Sequence, residues 1–185
     1  SCHLKAKGIK KVLLTAPGTE IPNIVYGINN KNIDIDKTDI FSAASCTTNC
    51  IAPILKIIND KYDIINGHLE TIHSYTNDQN LLDNMHKKPR RGRSAAINMV
   101  ITTTGAGKAV TKVIPSLEGK LTANAVRVPT ANVSLAIMRL KIKNKTNVEE
   151  VNNLIRLSAW IFDSLLDNLS SLKLISSNLL VNCLN

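Results

Sequence analysis

Several residue types are scarce in this chain, and each scarcity excludes a class of protein. The 185 residues include only four cysteines, and these show none of the paired spacing that holds zinc. So few thiols cannot staple a disulfide scaffold, which fits a reducing compartment. No apolar run approaches the roughly 18 residues that a membrane span needs, and the first residues lack the apolar core of a signal peptide. We therefore expect a cytoplasmic protein that binds neither a metal nor a membrane.

Aromatic residues make up only 3% of the chain, although its formal net charge is +9. Basic side chains neutralise nucleic-acid phosphates, but single strands are also held by stacked aromatic rings, which are scarce here. The densest basic run is HKKPRRGR at 86–93. This run has two interpretations from composition alone, a solvated basic loop or a site for a small anion.

The hydrophobic content of 44% is sufficient for a core, and its pattern alternates between strand and helix periods. The helical spacing of Ile51, Ile54, Leu55 and Ile58 predicts a helix over 47–60. The remaining patterns predict strands at 10–15, 24–28, 40–44 and 67–75, a helix at 105–117, two strands within 121–143 that separate at Pro129, and a helix that starts at the capping box 146–149.

Cys46 lies where the predicted strand over 40–44 gives way to the predicted helix. The start of a helix offers unsatisfied N–H groups and the positive end of the helix dipole, and both favour a thiolate. Position alone leaves two interpretations open, a reactive thiol or an inert buried cysteine, because free cysteine is among the most buried residue types.

Four segments of the sequence together resemble one enzyme family. ASCTTNC at 44–50 is similar to the active-site signature of the phosphorylating glyceraldehyde-3-phosphate dehydrogenases, and TIHSYTNDQ at 71–79 is similar to the segment that carries their catalytic histidine. TTTGAGKA at 102–109 and VRVPT at 126–130, followed by NVS at 132–134, match in family order. The resemblance covers residues 3 to about 160.

The resemblance implies roles for two of these residues. Cys46 would attack the substrate aldehyde and form a thiohemiacetal, and His73 would act as its base. Loss of hydride to NAD or NADP would leave a thioester, which inorganic phosphate would resolve to 1,3-bisphosphoglycerate, a reaction of glycolysis and, in reverse, of gluconeogenesis. Cys50, one helical turn after Cys46, has two interpretations, a small buried helix residue or a resolving thiol under oxidation.

The resemblance also implies two phosphate sites, in which arginine supplies charge while hydroxyl and backbone donors supply orientation. The attacking inorganic phosphate would contact Ser45, Thr47, Arg91, Thr104 and Gly105. The phosphate of the substrate would contact Thr76, Asp78 and Arg127. In this interpretation the basic run contains an anion ligand, Arg91, so it needs no nucleic-acid partner.

One family feature is missing from the sequence. The GxGxxG turn that holds a dinucleotide at a helix N-terminus occurs nowhere in the chain, so the residues that would bind NAD or NADP are unknown. The resemblance then predicts a fold in two parts, truncated at both ends. Residues 1–46 would be the C-terminal remnant of an α/β Rossmann-type domain, and residues 47–185 an α+β catalytic domain with a mixed, mainly antiparallel sheet.

Three functions remain open from the sequence. The first is glyceraldehyde-3-phosphate dehydrogenase, with glyceraldehyde 3-phosphate and inorganic phosphate as ligands and a homotetramer as the assembly, although this chain alone would have impaired activity. The second is erythrose-4-phosphate dehydrogenase, which shares the cysteine and histidine segments; the threonine run at 102–104 favours the first enzyme. The third is a catalytically dead basic interaction module, which the basic run and the net charge of +9 suggest.

Overall fold

The computed structural model describes residues 2–167, with side-chain surroundings up to residue 158. Its helices and strands follow the chain in the order β1 Val12–Leu14, β2 Ile40–Ser42, α1 Cys46–Tyr62, β3 Ile64–Ser74, β4 Val100–Thr103, α2 Ala106–Val113, β5 Leu121–Val128, β6 Ser134–Ile142 and α3 Val148–Asp167. The last part of the predicted catalytic domain, residues 168–185, lies outside the described residues. Within that described part, no helix is long and apolar enough to cross a membrane.

Strands β1 and β2 form a small parallel sheet in the first part of the chain, as the patterns at 10–15 and 40–44 predict. The strand predicted at 24–28 is wrong, because this segment forms turns. The amide of Asn29 explains the difference: its Oδ1 accepts from the backbone N–H of Val25 at 2.8 Å, and its Nδ2 donates to the carbonyl of Asn23 at 2.8 Å. Apart from the bond that the Ile24 N–H donates to the Ser42 carbonyl at 2.8 Å, these bonds take the place of the ladder that a strand would need.

The second sheet has four strands in the order β4-β5-β3-β6. β3 pairs parallel with β5 and antiparallel with β6, whereas β4 pairs antiparallel with β5. Two of the three pairings are therefore antiparallel, and the expected mixed, mainly antiparallel sheet is confirmed. The parallel register places His73 beside Arg127, and this pairing determines the chemistry described below.

Helix α1 packs one face against this sheet. Ile51, Leu55 and Ile58 are buried on the helix, at the spacing from which the helix was predicted. They share a core with Ile64 on β3 and Val110 on α2. Full burial of one such aliphatic side chain contributes about 1.5–3 kcal/mol, so this core fixes where α1 begins relative to the sheet.

The two later helices differ in detail from their predictions. The helix predicted over 105–117 ends at Val113, and a short 3-10 helix, Pro115–Leu117, follows it. Pro115 has no backbone N–H, so it cannot continue the α-helical ladder. Helix α3 starts at the predicted capping box, but its cap is Asn147, whose Oδ1 accepts from the backbone N–H of Glu150 at 2.9 Å. The domain boundary between residues 46 and 47 stays a prediction.

Candidate active site

The turn between β2 and α1 presents an exposed thiol at the first residue of a long helix, Cys46. Ser45 caps that helix, because its Oγ accepts from the backbone N–H of Thr48 at 3.0 Å. The remaining N–H groups of the first turn surround the thiol with partial positive charge. The local sequence therefore places the Cys46 sulfur at the positive end of a helix dipole.

The backbone of this turn is held in an uncommon conformation. Ala44 has a φ of 59°, which lies in the left-handed region that residues other than glycine rarely adopt. Asn49 spans it by donating to the carbonyl of Ala43 at 2.7 Å and to that of Ser45 at 2.9 Å. The buried hydroxyl of Ser42 accepts from the Ala44 N–H at 2.9 Å. Together these bonds fix the direction in which the helix begins.

His73 lies one residue before the end of β3 and faces the start of α1. Its Nε2 is 3.7 Å from Sγ of Cys46, within the reach of a sulfur hydrogen bond. The Thr47 hydroxyl is 4.0 Å from the same sulfur. A nucleophile in contact with an imidazole is the arrangement that covalent catalysis by cysteine requires.

Arg127 contacts the far side of the same imidazole from the neighbouring strand β5. Its Nη1 lies 2.6 Å from His73 Nδ1 and donates to the carbonyl of Ser74 at 2.9 Å. Burial lowers the pKa of Arg127, and the positive charge of Arg91 lowers it further, while Cys46 opposes both effects. Two guanidinium groups and one thiol therefore lie close enough to interact electrostatically.

The segment 45–179 matches the family model described as glyceraldehyde 3-phosphate dehydrogenase, C-terminal domain. This match covers well over half of the chain and includes both members of the thiol–imidazole pair. The chain belongs to the glyceraldehyde-3-phosphate dehydrogenase family. The resemblance drawn from the four sequence segments is thereby confirmed.

Curated members of the glyceraldehyde-3-phosphate dehydrogenase family align with nearly the whole chain. The glyceraldehyde-3-phosphate dehydrogenase-like protein of Pseudomonas aeruginosa is 55% identical over 179 residues, which are 95% of this chain and 39% of that relative. Glyceraldehyde-3-phosphate dehydrogenase 2 of a Nostoc species is 50% identical over 178 residues, with 95% and 52% coverage. The enzyme of the same name from Staphylococcus epidermidis is 50% identical over 153 residues, with 82% and 45% coverage. The chain spans about half the length of these relatives, or less.

The basic run of this family member is not one uniform surface. Arg91 is only 7% exposed, whereas Lys87, Lys88, Arg90 and Arg93 are exposed. The Arg91 guanidinium forms an ion pair with Asp78 through Nη1. The short 3-10 helix Pro89–Gly92 turns this one side chain inward and leaves its neighbours in solvent.

A threonine of β4 completes the surroundings of Arg91. Thr102 Oγ1 accepts from Nε and from Nη2, each at 3.1 Å, and the carbonyl of Thr103 accepts from Nη2 at 3.3 Å. In the structure Asp78 is thus a counterion for Arg91. Its predicted contact with a substrate phosphate stays a prediction, and two carboxylate oxygens beside a phosphate would repel it.

The other predicted phosphate residues lie on three segments: at the start of α1, after β3 and just before α2. Thr104 accepts from the backbone N–H of Ala106 at 3.2 Å, and Gly105 is the exposed residue before α2. Ser45 is committed to the cap of α1, and Thr76 is exposed after β3. Among the described residues, no hydrogen bond joins Thr76, Thr104 or Gly105 to the thiol–imidazole pair. Their phosphate contacts stay predictions.

Three contributors to the site were not predicted from the sequence. Thr102 was part of a recognised segment, but its role depends on strand β4, which was not predicted. Asn49 was also recognised only as a letter of the signature; an asparagine one turn after a helix cap is a signal for such a clamp. The Ser74 carbonyl gives no sequence signal, because every residue has one.

Cys50 follows Cys46 by one helical turn, and its side chain is exposed rather than buried. Neighbouring atoms still remove part of its solvation, which raises the pKa of Cys50, and the nearby Cys46 adds to that shift. Its thiol therefore keeps its proton more readily than an ordinary cysteine.

The described residues contain no group of three or more His, Cys, Asp or Glu side chains that could hold a metal ion.

Proposed function

We propose that this chain carries the acyl-transfer half of a phosphorylating glyceraldehyde-3-phosphate dehydrogenase. The observation that carries the proposal is the 3.7 Å contact between Cys46 Sγ and His73 Nε2 at the start of a helix. In the complete reaction, glyceraldehyde 3-phosphate would be oxidised and phosphorylated to 1,3-bisphosphoglycerate through a thioester on Cys46.

The chain's own residues account for the covalent steps. His73 Nε2 takes the proton of the Cys46 thiol, the thiolate adds to the aldehyde carbon, and the proton then passes from His73 to the new alkoxide oxygen to give a thiohemiacetal. After that carbon has been oxidised, a phosphate oxygen adds to the thioester carbonyl. The carbon–sulfur bond then breaks, which releases the acyl phosphate and restores the thiolate.

The oxidation itself needs a hydride acceptor, which NAD or NADP would supply when bound. The described residues do not fit a dinucleotide in the usual way, because the sequence has no GxGxxG turn and strand β1 leads into Ala16, Pro17 and Gly18 rather than into a helix. We therefore assign to this chain the thiol addition, the proton transfer and the anion binding.

The charges around the thiol support a phosphorylated substrate. The guanidinium of Arg127 has a buried Nε without a hydrogen-bond partner among the described residues, and that of Arg91 is held by contacts with Thr102, Thr103 and Asp78. Phosphate dianions are recognised by such forks of N–H donors. All three relatives described above carry the glyceraldehyde name, which favours this aldehyde over erythrose 4-phosphate.

The alternative of a basic interaction module has less support. It would need the basic run to present a continuous positive surface, but Arg91 is buried and paired with Asp78. A module of this kind would also have no use for a thiol in contact with an imidazole. Binding to DNA that survives Arg91→Ala and weakens steeply with salt would restore this alternative.

We also propose that the chain self-associates, as expected for a family of homotetramers. Large apolar side chains are exposed on the long loop between β3 and β4, including Leu82 at 79%, Met85 at 95% and Ile97 at 78%. Another copy of the chain would remove such a patch from water. Sedimentation velocity tests this proposal, and a monomer at micromolar concentration would contradict it.

A reverse half-reaction tests the enzymatic proposal without any cofactor. An acyl phosphate such as acetyl phosphate should transfer its acetyl group to Cys46, because the thiolate attacks the carbonyl carbon and inorganic phosphate leaves. Intact mass spectrometry would detect one added acetyl group, and peptide mapping would place it on Cys46. The assay should also detect one inorganic phosphate released for each acetyl group transferred.

Two variants make this test specific. Cys46→Ser should abolish the transfer, and His73→Asn should slow it by about 100-fold or more, the usual contribution of a positioned base. Cys50→Ser, one turn further along the same helix, should leave it unchanged. Acetyl groups spread over lysines, or transfer that persists in Cys46→Ser, would refute the proposal.

A further inference from the structure

Three atoms behind the catalytic pair form a close triangle. His73 Nδ1 lies 2.6 Å from Arg127 Nη1 and 2.7 Å from the Ser74 carbonyl oxygen, and these two partners are 2.9 Å apart. All three distances are those of hydrogen bonds. The ring nitrogen thus faces a donor and an acceptor at once.

The protons available cannot satisfy every side of this triangle. The Nη1 atom of Arg127 can only donate, so its contact with Nδ1 requires that Nδ1 carry no proton. The carbonyl of Ser74 can only accept, so its contact with Nδ1 requires a proton there. The two contacts therefore belong to different tautomers of His73.

The tautomer decides what the other ring nitrogen offers to Cys46. A neutral imidazole has one proton. When Nδ1 accepts from Arg127, that proton is on Nε2 and points toward Sγ, so the ring has no lone pair with which to take the thiol proton. When Nδ1 donates to the Ser74 carbonyl, Nε2 presents its lone pair to the thiol and can act as a base.

We propose that Arg127 controls the tautomer of His73 and frees its base only when a phosphate monoester draws the guanidinium away. The inference rests on the proposed function, because it couples the phosphate group of the substrate to activation of Cys46. Arg127 would then be a positioning residue for the base as well as an anion ligand. An aldehyde without a phosphate group would meet an imidazole in the wrong tautomer.

The surroundings of Arg127 favour such a move. Its Nε is buried and has no hydrogen-bond partner among the described residues, so an arriving anion gains a free donor. Burial and the charge of Arg91 disfavour the charged form of Arg127, as its lowered pKa indicates. A phosphate dianion would offset both the lost solvation of the Arg127 guanidinium and its repulsion from Arg91. The uncharged Nδ1 of His73 offsets neither.

Nitrogen NMR reads the tautomer directly in the 185-residue chain labelled with ¹⁵N-histidine. Long-range ¹H–¹⁵N correlation spectra distinguish a protonated ring nitrogen from an unprotonated one, and at about pH 8 an unperturbed imidazole is neutral. The probe is glycerol 3-phosphate, a phosphate monoester without an aldehyde, with glycerol as its control. His68, which contacts Thr122 and Asn124 on the same sheet, is the internal reference.

Without ligand, the unprotonated nitrogen of His73 should be Nδ1. Saturating glycerol 3-phosphate should make it Nε2, while glycerol should change nothing and His68 should keep its spectrum. Arg127→Met should show the second tautomer even without ligand, and Arg139→Met, an exposed arginine of β6, should behave as the unchanged chain.

Several results would overturn the inference. They are a proton on Nδ1 in the ligand-free chain, a doubly protonated ring at that pH, no response to glycerol 3-phosphate, or an Arg127→Met spectrum like that of the unchanged chain. If Arg127→Met does not fold, the ligand titration of the unchanged chain decides. The spectra contain no acyl-transfer step. If the inference holds, the acetyl phosphate test needs glycerol 3-phosphate present, and a chain that switches tautomer but still takes no acetyl group under that condition refutes the proposed function alone.

Discussion

Thr102 accepts two hydrogen bonds from the single guanidinium of Arg91, whose Nε and Nη2 atoms each lie 3.1 Å from its Oγ1. Both residues are buried, at 8% and 7% exposure. A buried charged group is costly unless its donors are satisfied. The hydroxyl of Thr102 thus stabilises the buried positive charge of Arg91.

Removing that hydroxyl should therefore destabilise the fold without changing its shape. Thr102→Val keeps the volume of the side chain but leaves two donors of Arg91 unpaired, which should lower the free energy of unfolding by about 1.5–3 kcal/mol. Urea denaturation followed by circular dichroism measures this change. Thr103→Val is the matched control, because the Thr103 hydroxyl is exposed and only its carbonyl contacts Arg91. Equal effects of the two substitutions would show that the hydrogen bonds to Thr102 do not matter.

The two arginines of the site should have separable roles in a full-length enzyme that contains this segment. Arg91→Ala should mainly raise the concentration of inorganic phosphate required, and Arg127→Ala should mainly raise the KM for the aldehyde. Each loss corresponds to about 1.5–3 kcal/mol, the value of one charge-assisted contact. Initial rates with each ligand varied in turn give both parameters. The assignment of two phosphate sites fails if both variants affect both ligands alike.

Cys46 should be the most reactive thiol of the folded chain. It combines a helix start with an imidazole at 3.7 Å, whereas partial loss of solvation raises the pKa of Cys50 and keeps its thiol protonated near neutral pH. Brief treatment with iodoacetamide at about pH 7, followed by peptide mapping, should place most of the label on Cys46. Labelling of Cys50 should increase as the pH rises through its elevated pKa. Faster labelling of Cys2 or Cys50 in folded protein would contradict this expectation; Cys183 lies outside the described residues.

The chain by itself should bind NAD weakly and should not produce NADH. No glycine-rich turn follows a strand with the spacing that pyrophosphate binding needs, so the hydride acceptor would not be held over Cys46. Calorimetric titration with NAD and an absorbance assay for NADH measure the two parts of this prediction. Micromolar binding together with measurable turnover would mean that another segment of the chain binds the dinucleotide.

Local patterns were sufficient to predict most helices and strands. Helix α1 was expected over 47–60 and spans Cys46–Tyr62, because the spacing of its apolar residues and its serine cap lie within the segment itself. Strand β4 was missed because its four residues are stabilised by pairing with β5, which lies more than twenty residues later. Pairing between distant segments has no local signal.

The sequence by itself determined the family, because the motifs that identify it are short and their letters are contiguous. Through that resemblance it also predicted the mixed sheet and the pairing of Cys46 with His73. The distances between the members of the site are a different matter. His73 meets Cys46 and Arg127 only because β3 pairs in parallel with β5 and packs beside the start of α1. Likewise, Arg91 turns inward toward Thr102 on strand β4, and Arg127 reaches His73 and the Ser74 carbonyl from a strand more than fifty residues later in the chain. Such contacts depend on packing and register, which only the tertiary structure decides.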